Sequence, residues 1–112
     1  MKGGMKAFSG RQCRPLPRGT PHLSGAEMEA LLHDFPGWTL QQGAISKTFS
    51  FPDYHRTLAF VNAVAWIAQQ QDHHPELNVS YEHCRVSFNT HSIGGISEND
   101  FICAARIESL FA

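Results

Sequence analysis

The sequence is poor in cysteine and has no long apolar run. Its three cysteines are unclustered and form no CxxC pair, which argues against a disulfide framework or a zinc finger. No stretch of about 18 apolar residues is present, so we expect neither a transmembrane helix nor a membrane partner. The N-terminus also lacks the apolar core of a secretory signal. Together these features predict a protein of a reducing compartment, the cytoplasm.

The chain also lacks an excess of charge of either sign. Its 112 residues carry a formal net charge of −1, so we expect no direct nucleic acid binding. With 42% apolar and 17% charged residues, the composition is that of a globular domain and not of a disordered chain. A length of 112 residues suffices for one domain and excludes a multidomain enzyme.

Basic residues are concentrated near the N-terminus. All five charged residues before Glu27 are basic, and the same stretch holds three prolines. We interpret residues 1–21 as a flexible basic tail and residues 22–112 as a single domain. An organelle-targeting peptide and a weak anion-binding arm are the alternatives for the tail.

Hydrophobic periodicity and turn signals predict the element order αββαββα. Capping boxes starting at Ser24 and Ser97 open the first and last helices, and Asp53 is the predicted N-cap of the middle helix. The middle helix has a wide apolar face, which its own sheet or a partner subunit would cover, and it must end before Pro75. One run of alternating residues before this helix and one after it predict two antiparallel hairpins. We therefore expect an α+β two-layer sandwich, with a four-stranded antiparallel sheet and three helices on one face.

Three of the seven histidines occupy positions that favour chemistry. His73 and His74 lie where the middle helix must end, and Pro75 restrains the chain beside them. His91 ends a strand on its polar face, just before a loop that contains glycine. Because clefts form where helix ends meet strand ends, we expect the three imidazoles to converge. The other four histidines are expected to be solvated: His22, His33, His55 and His83.

A cluster of imidazoles suits general acid–base catalysis, because histidine gives and takes protons near neutral pH. Three histidines could also hold a zinc ion with an open fourth position, although the adjacent His73 and His74 rarely present both rings to one ion. In a third interpretation, histidines at a helix end simply hydrogen-bond the free carbonyl groups there. The residues alone leave these interpretations open.

The remaining residues of interest have simpler interpretations. We expect Trp38 and Trp66 in the core, although Trp38 follows a Pro-Gly break and could edge a pocket. Cys84 and Cys103 fall at positions expected to be buried. No serine or cysteine nucleophile stands in a recognisable motif, and no phosphate-binding glycine loop occurs.

Several motifs at a specific spacing resemble the pterin-4a-carbinolamine dehydratase family. They are Asp72-His73-His74-Pro75-Glu76, Thr90-His91 and Gly95-Ile96-Ser97-Glu98-Asn99-Asp100. The resemblance covers about residues 24–110. It implies the same α+β fold, a homodimer or homotetramer, and no metal or organic cofactor. The reaction it implies is a hydro-lyase step in tetrahydrobiopterin recycling, in which 4a-hydroxytetrahydropterin loses water to give quinonoid dihydropterin.

The resemblance also implies a role for each candidate residue. His73 and His91 would act as acid and base, and His74 would mainly orient the pterin. The substrate-binding residues would be Pro75, Thr90, Ser92 and Ile93. Residues expected to support the histidines are Asp100, Trp38 and Glu76, with a plain helix-capping role as the alternative for Asp100. The leading alternative function is a non-catalytic protein-binding module of the same fold, either a coactivator or an assembly partner.

Overall fold

The computed structural model describes residues 4–112, and these contain four α-helices and one four-stranded sheet. The helices are α1 (Gly4–Ser9), α2 (Gly25–His33), α3 (Tyr54–Gln71) and α4 (Glu98–Glu108). The strands are β1 (Thr39–Gln41), β2 (Ala44–Ser50), β3 (Glu76–Val79) and β4 (His83–Phe88). Short 3-10 helices occur at His91–Ile93 and Ser109–Phe111. Over residues 4–112, no helix is both long and apolar enough to cross a membrane.

The sheet is antiparallel throughout, with the strand order β1-β2-β4-β3. Two hairpins, β1–β2 and β3–β4, meet along β2 and β4, where Ile45 pairs with Phe88 and Phe49 pairs with Cys84. The helices and the sheet form the predicted α+β fold. The predicted element order is confirmed as well, with α1 as an additional helix.

Local signals in the sequence decide where the helices begin and end. Ser24 and Ser97 form the predicted capping boxes at the starts of α2 and α4, and Asp53 caps α3 as predicted. After α3, Asp72 adopts a left-handed conformation with a φ of 51°. This conformation ends the helix and turns the chain before Pro75.

The two faces of the sheet differ in polarity because side chains alternate along each strand. The inner face packs against the helices and carries apolar side chains: Ile45, Phe49, Cys84, Val86 and Phe88. The outer face is polar, and the hydroxyl groups of Ser46 and Ser87 lie 2.8 Å apart across β2 and β4. The core therefore lies between the inner face and the helices, and the outer face is available to form a site.

The segment before α2 packs against the domain, unlike the flexible basic tail predicted for residues 1–21. It includes α1, whose Phe8 ring is 6% exposed and lies edge-on to the Phe35 ring with centroids 5.8 Å apart. Burial of this aromatic ring favours the docked segment. The prediction of flexibility is therefore corrected from Gly4 onward, and residues 1–3 lie outside the described part of the chain. The boundary between tail and domain stays a prediction.

The two tryptophans lie in different environments. Trp38 is 3% exposed in the core, as predicted, and its indole N–H donates to the Glu108 carboxylate at 2.9 Å. Trp66 of α3 is 64% exposed, so the prediction that it lies in the core is wrong. Only one side of α3 faces the sheet, and part of its wide apolar stripe, which includes the exposed Leu58, faces away from the core.

Candidate active site

Two of the predicted histidines, His74 and His91, line one cavity at the polar outer face of the sheet. The cavity has a volume of about 400 Å³, within the range typical of small-molecule sites. Its other lining residues are Ala44, Pro75, Glu76, Ser87 and Asn89. Because most of these side chains are polar or titratable, the cavity suits a ligand with several hydrogen-bonding groups.

Strand register explains why these residues meet. Glu76 at the start of β3 pairs with Ser87 near the end of β4, and β2 begins at Ala44 on the other side of β4. His74 lies shortly before β3, and His91 lies shortly after β4. Both histidines therefore flank the same end of the sheet.

The neighbouring His73 side chain turns to the inner, helix-covered side. Its ring stacks on Phe88 with centroids 5.8 Å apart, and its Nε2 atom lies 2.6 Å from Oδ1 of Asp100. Only 12% of the His73 side chain is exposed, and the Asp100 side chain is fully buried. The structure thus brings His74 and His91 to one cavity and places His73 on the inner side at the same end of the sheet.

The contact with Asp100 determines which His73 nitrogen titrates. An ionised carboxylate only accepts hydrogen bonds, so Nε2 carries a proton and donates it, and Nδ1 is the titrating atom. Burial of the ring disfavours its charged form, but the hydrogen bond and negative charge of Asp100 outweigh burial and raise the pKa of His73. A raised pKa keeps this imidazole protonated at higher pH than usual, which favours it as a proton donor.

Asp100 accepts hydrogen bonds on both carboxylate oxygens. Besides the His73 bond on Oδ1, its Oδ2 atom accepts from the Thr90 hydroxyl and from the Ser97 N–H, each at 2.9 Å. Because Thr90 gives its proton to Asp100, the Ser97 hydroxyl, 2.6 Å away, donates to Thr90. These donors compensate the cost of burying a carboxylate. Asp100 therefore caps α4 and also holds the His73 ring through a hydrogen bond.

The same cluster anchors the loop that carries His91. The N–H of Thr90 donates to the carbonyl of Gly95 at 2.8 Å, which closes the loop between them. Within it, Gly94 has a φ of 66°, in the left-handed region that favours glycine. Since the Thr90 hydroxyl is bound to Asp100, the carboxylate that holds the His73 ring also fixes the start of the loop that carries His91.

The other predicted site residues are divided between the cavity and the buried cluster. Pro75 and Glu76 line the cavity. Thr90, predicted to bind substrate, is instead 5% exposed in the Asp100 cluster. Among the described residues, no group of three or more His, Cys, Asp or Glu side chains is placed to hold a metal ion.

Three further predicted residues lie away from the cavity wall. The exposed Ser92 donates its hydroxyl to the Leu16 carbonyl at 3.0 Å, and Ile93 is half-buried on the 3-10 helix that begins with His91. Trp38, predicted to support the histidines, instead donates to Glu108 in the core. Trp38 packs beside Phe88, the ring on which His73 stacks.

Sequence reasoning missed two polar residues of the cavity, besides Ala44, and one residue of the buried cluster. Ser87 and Asn89 line the cavity. The alternation that places His91 on the polar face of β4 also places these two side chains there, so the pattern contained the signal. Ser97 was expected only to cap α4, whereas its hydroxyl also contacts Thr90. Sequence patterns around a cap do not reveal such a tertiary contact.

The fold and the site define the class of protein. It is a small α+β protein with a histidine-lined cavity beside a buried histidine–carboxylate pair. Residues 21–110 match a family model described as pterin 4 alpha carbinolamine dehydratase. Because this match covers most of the chain, the protein belongs to the pterin-4-alpha-carbinolamine dehydratase family, as its motifs predicted.

Similar proteins support this membership. A protein from Nitrosomonas eutropha named for the family is 54% identical over 101 residues, which cover 89% of each chain. Another, from Xanthomonas campestris pv. campestris, is 54% identical over 104 residues, which cover 89% of this chain and 88% of that one.

Solved structures agree with the fold. The crystal structure of a transcriptional coactivator/pterin dehydratase from Brucella melitensis matches with a TM-score of 0.78 and 30% identity, over 82% of this chain and 100% of that one. A pterin dehydratase-like protein described as a RuBisCO assembly factor in the alpha-carboxysome matches with a TM-score of 0.55 and 23% identity. That match covers 65% of this chain and 84% of the other, and it shows the fold alone.

Proposed function

We propose that this protein acts in the cytoplasm and dehydrates 4a-hydroxytetrahydropterin to quinonoid dihydropterin in tetrahydrobiopterin recycling. One observation carries the proposal: a cavity lined by His74 and His91 lies at the same end of the sheet as a buried His73–Asp100 pair. Membership of the family supports the substrate class, because the matching relatives are named for it.

The reaction requires both an acid and a base. The hydroxyl on C4a is a poor leaving group until it is protonated, and the adjacent ring nitrogen must lose its proton. The C–O bond then breaks, a carbon–nitrogen double bond forms, and water leaves. Groups that titrate near neutral pH perform both transfers well, and histidine is the side chain that does so without a large perturbation.

We assign protonation of the leaving hydroxyl to His73. Asp100 holds Nε2 and stabilises the imidazolium, which raises the pKa of His73 and leaves Nδ1 as the acidic position. Because 12% of its side chain remains exposed and the adjacent His74 lines the cavity, we assign the proton a path through this exposed part. Stacking on Phe88 keeps the ring in one orientation, so little reorganisation is needed during the reaction.

We assign removal of the ring-nitrogen proton to His91 and orientation of the pterin to His74. Both are exposed in the cavity, where a ligand can reach them. The polar groups of Glu76, Ser87 and Asn89 around them match the donors and acceptors along the edge of a pterin.

The proposal is tested by a stopped-flow assay of 4a-hydroxytetrahydropterin dehydration. We expect the purified protein to accelerate the reaction well above the spontaneous rate, equally with and without a chelator, since the proposed chemistry uses side chains alone. Heat-denatured protein is the blank. A rate equal to the blank would contradict the proposal, and a rate abolished by the chelator would contradict its metal-free form.

We also propose that the protein assembles as a homodimer or homotetramer. The support is the outward side of α3, where Trp66 is 64% exposed and Leu58 is 36% exposed. Exposed apolar surface of this kind commonly marks an interface. Sedimentation of the wild type and of Trp66→Glu tests the assembly: we expect an oligomer that the substitution dissociates, and a wild-type monomer would contradict it.

The same apolar side of α3 favours the second candidate function, a non-catalytic protein-binding module. A structural relative with 30% identity is named both a transcriptional coactivator and a pterin dehydratase. The presence of all three histidines favours catalysis. A protein without turnover that still forms a defined complex with another protein would support the module instead.

A further inference from the structure

Two thiols from distant parts of the chain lie next to each other, beside the buried His73–Asp100 pair. Cys13, in the segment between α1 and α2, is half-buried, and Cys103 of α4 is buried. Their Sγ atoms are 3.6 Å apart, a thiol–thiol hydrogen-bond distance. The proposed dehydration uses neither of them.

We propose that Cys13 and Cys103 form an oxidisable dithiol, which hydrogen peroxide converts into an intramolecular disulfide while Cys84 stays reduced. This is a modification site separate from the histidine cavity. The disulfide cross-links the N-terminal segment to α4, two parts of the chain that otherwise touch only through non-covalent contacts.

The two thiols differ in acidity and in exposure, and these differences indicate which one reacts first. A hydrogen bond from Cys103 lowers the pKa of Cys13, whereas the same hydrogen bond, together with burial, raises the pKa of Cys103. Cys13 is therefore the thiol that ionises, and Cys103 donates to it. Because the thiolate is the nucleophile and Cys13 is also the more exposed of the two, peroxide reacts first at Cys13.

The chemistry proceeds in two balanced steps. The Cys13 thiolate attacks one peroxide oxygen, the O–O bond breaks, and the products are a sulfenic acid and a hydroxide, which takes the proton released by Cys13. The Cys103 sulfur then attacks the sulfenic sulfur, the S–S bond forms, and the S–O bond breaks. The departing hydroxide takes the Cys103 proton and leaves as water. Two thiols are oxidised to one disulfide, and one peroxide is reduced to two waters.

The surroundings of Cys13 permit the small movement that closure needs. A disulfide bond is about 2.05 Å long, so the sulfurs must approach by about 1.5 Å. Cys13 lies outside any helix or strand, and its N–H donates to the Gln71 side chain at 2.7 Å. The adjacent Arg14 backbone is likewise held by the Asn99 side chain. Since side chains hold this segment, it can shift without breaking a helix or a strand.

Cys84 provides an internal comparison. It is fully buried on the inner face of β4, where burial raises the pKa of its thiol. With low acidity and no access, this thiol is expected to resist peroxide.

The test is a thiol count on the full-length protein after treatment with hydrogen peroxide and denaturation. We expect two of the three thiols to be lost, restored by dithiothreitol, with a mass decrease of two hydrogen atoms per chain. Trypsin cuts after Arg85 and so separates Cys84 from Cys103, and the cross-linked peptides should contain Cys13 and Cys103. This readout does not depend on pterin turnover, so it stands or falls separately from the proposed function.

Two variants complete the test. Cys84→Ala, the matched control, should lose both of its remaining thiols, whereas Cys13→Ser should keep Cys103 reduced. Survival of all three thiols in the wild type would overturn the proposal. Stable addition of oxygen to Cys13 without a cross-link, a disulfide that includes Cys84, or a disulfide between two chains would overturn it as well.

Discussion

His73 and His74 are neighbours in the chain, but they differ in burial and in the side of the sheet that they face. His73 lies on the inner side, with Nε2 on the buried Asp100 and only 12% of its side chain exposed. His74 is exposed and lines the cavity on the outer side. The left-handed Asp72 before them and Pro75 after them take this stretch out of regular helix geometry, so consecutive side chains can face opposite ways.

The difference indicates how the proposed reaction divides two tasks within one short motif. A buried carboxylate fixes the tautomer of one imidazole and raises its pKa, and in the proposed reaction this imidazole is the acid. The other imidazole, left free in a cavity of about 400 Å³, is available to touch the ligand itself. Substitutions at His73 and at His74 should therefore produce different defects.

The largest effect is expected on turnover when an acid or base is removed. His73→Gln and His91→Ala should each lower kcat for pterin dehydration by roughly 10²- to 10⁴-fold, the usual contribution of a positioned proton-transfer group. Stopped-flow kinetics and circular dichroism measure rate and folding together. His55→Ala, which removes an exposed histidine of α3, is the control and should match the wild type. Wild-type rates in both site variants would contradict the assigned roles.

Stability should depend on the buried residues around Asp100 and not on the exposed residues that line the cavity. Asp100→Ala deletes the acceptor for His73, Thr90 and the start of α4, and it should lower the free energy of unfolding by about 3 kcal/mol. Glu76→Ala removes an exposed carboxylate of the cavity and should change the free energy of unfolding by less than about 0.5 kcal/mol. Urea denaturation measures the free energy of unfolding of both variants. Equal losses of stability in Asp100→Ala and Glu76→Ala would contradict the prediction.

His74 should matter for binding more than for the chemical step. His74→Ala removes a hydrogen-bonding group from the cavity wall, so we expect KM to rise by about tenfold, equivalent to roughly 1.4 kcal/mol, with kcat little changed. Steady-state kinetics on the same pterin separates the two parameters. A large fall in kcat at unchanged KM would instead make His74 a proton-transfer group.

The smallest effect is the pH dependence of stability. Since Asp100 raises the pKa of His73 in the folded protein, the pair stabilises the fold fully below the unfolded-state pKa of about 6.5, and this stabilisation disappears as pH rises through the folded pKa. The stability of the wild type relative to His73→Gln should therefore decrease with rising pH. Unfolding curves measured across this range at constant ionic strength test the sign, and a difference that grows with pH would contradict it.

Local rules in the sequence predicted most of the fold. Capping boxes at Ser24 and Ser97 and the N-cap at Asp53 depend on neighbours within one turn, so their spacing was sufficient to locate helix starts. Alternation along β4 likewise placed His91 on the polar face. These features were predictable because the interactions that create them are close in sequence.

The remaining features depend on contacts between distant residues. Phe8 is buried only because Phe35 and α4 provide its pocket, so a basic, proline-containing segment was mistaken for a free tail. The opposite orientations of His73 and His74 depend on Asp100, which lies 27 positions after the first of them. The approach of two cysteines 90 positions apart depends in turn on the docking of that segment.

The most direct test of the central claim, that Asp100 tunes His73 as the acid of pterin dehydration, is the pH–rate profile of Asp100→Asn beside the wild type. If protonated His73 donates to the leaving hydroxyl, the rate falls as pH rises through its pKa, which Asp100 raises. Loss of the carboxylate charge should therefore move this limb to lower pH. An unmoved limb, in a variant that still folds and turns over, would contradict the claim.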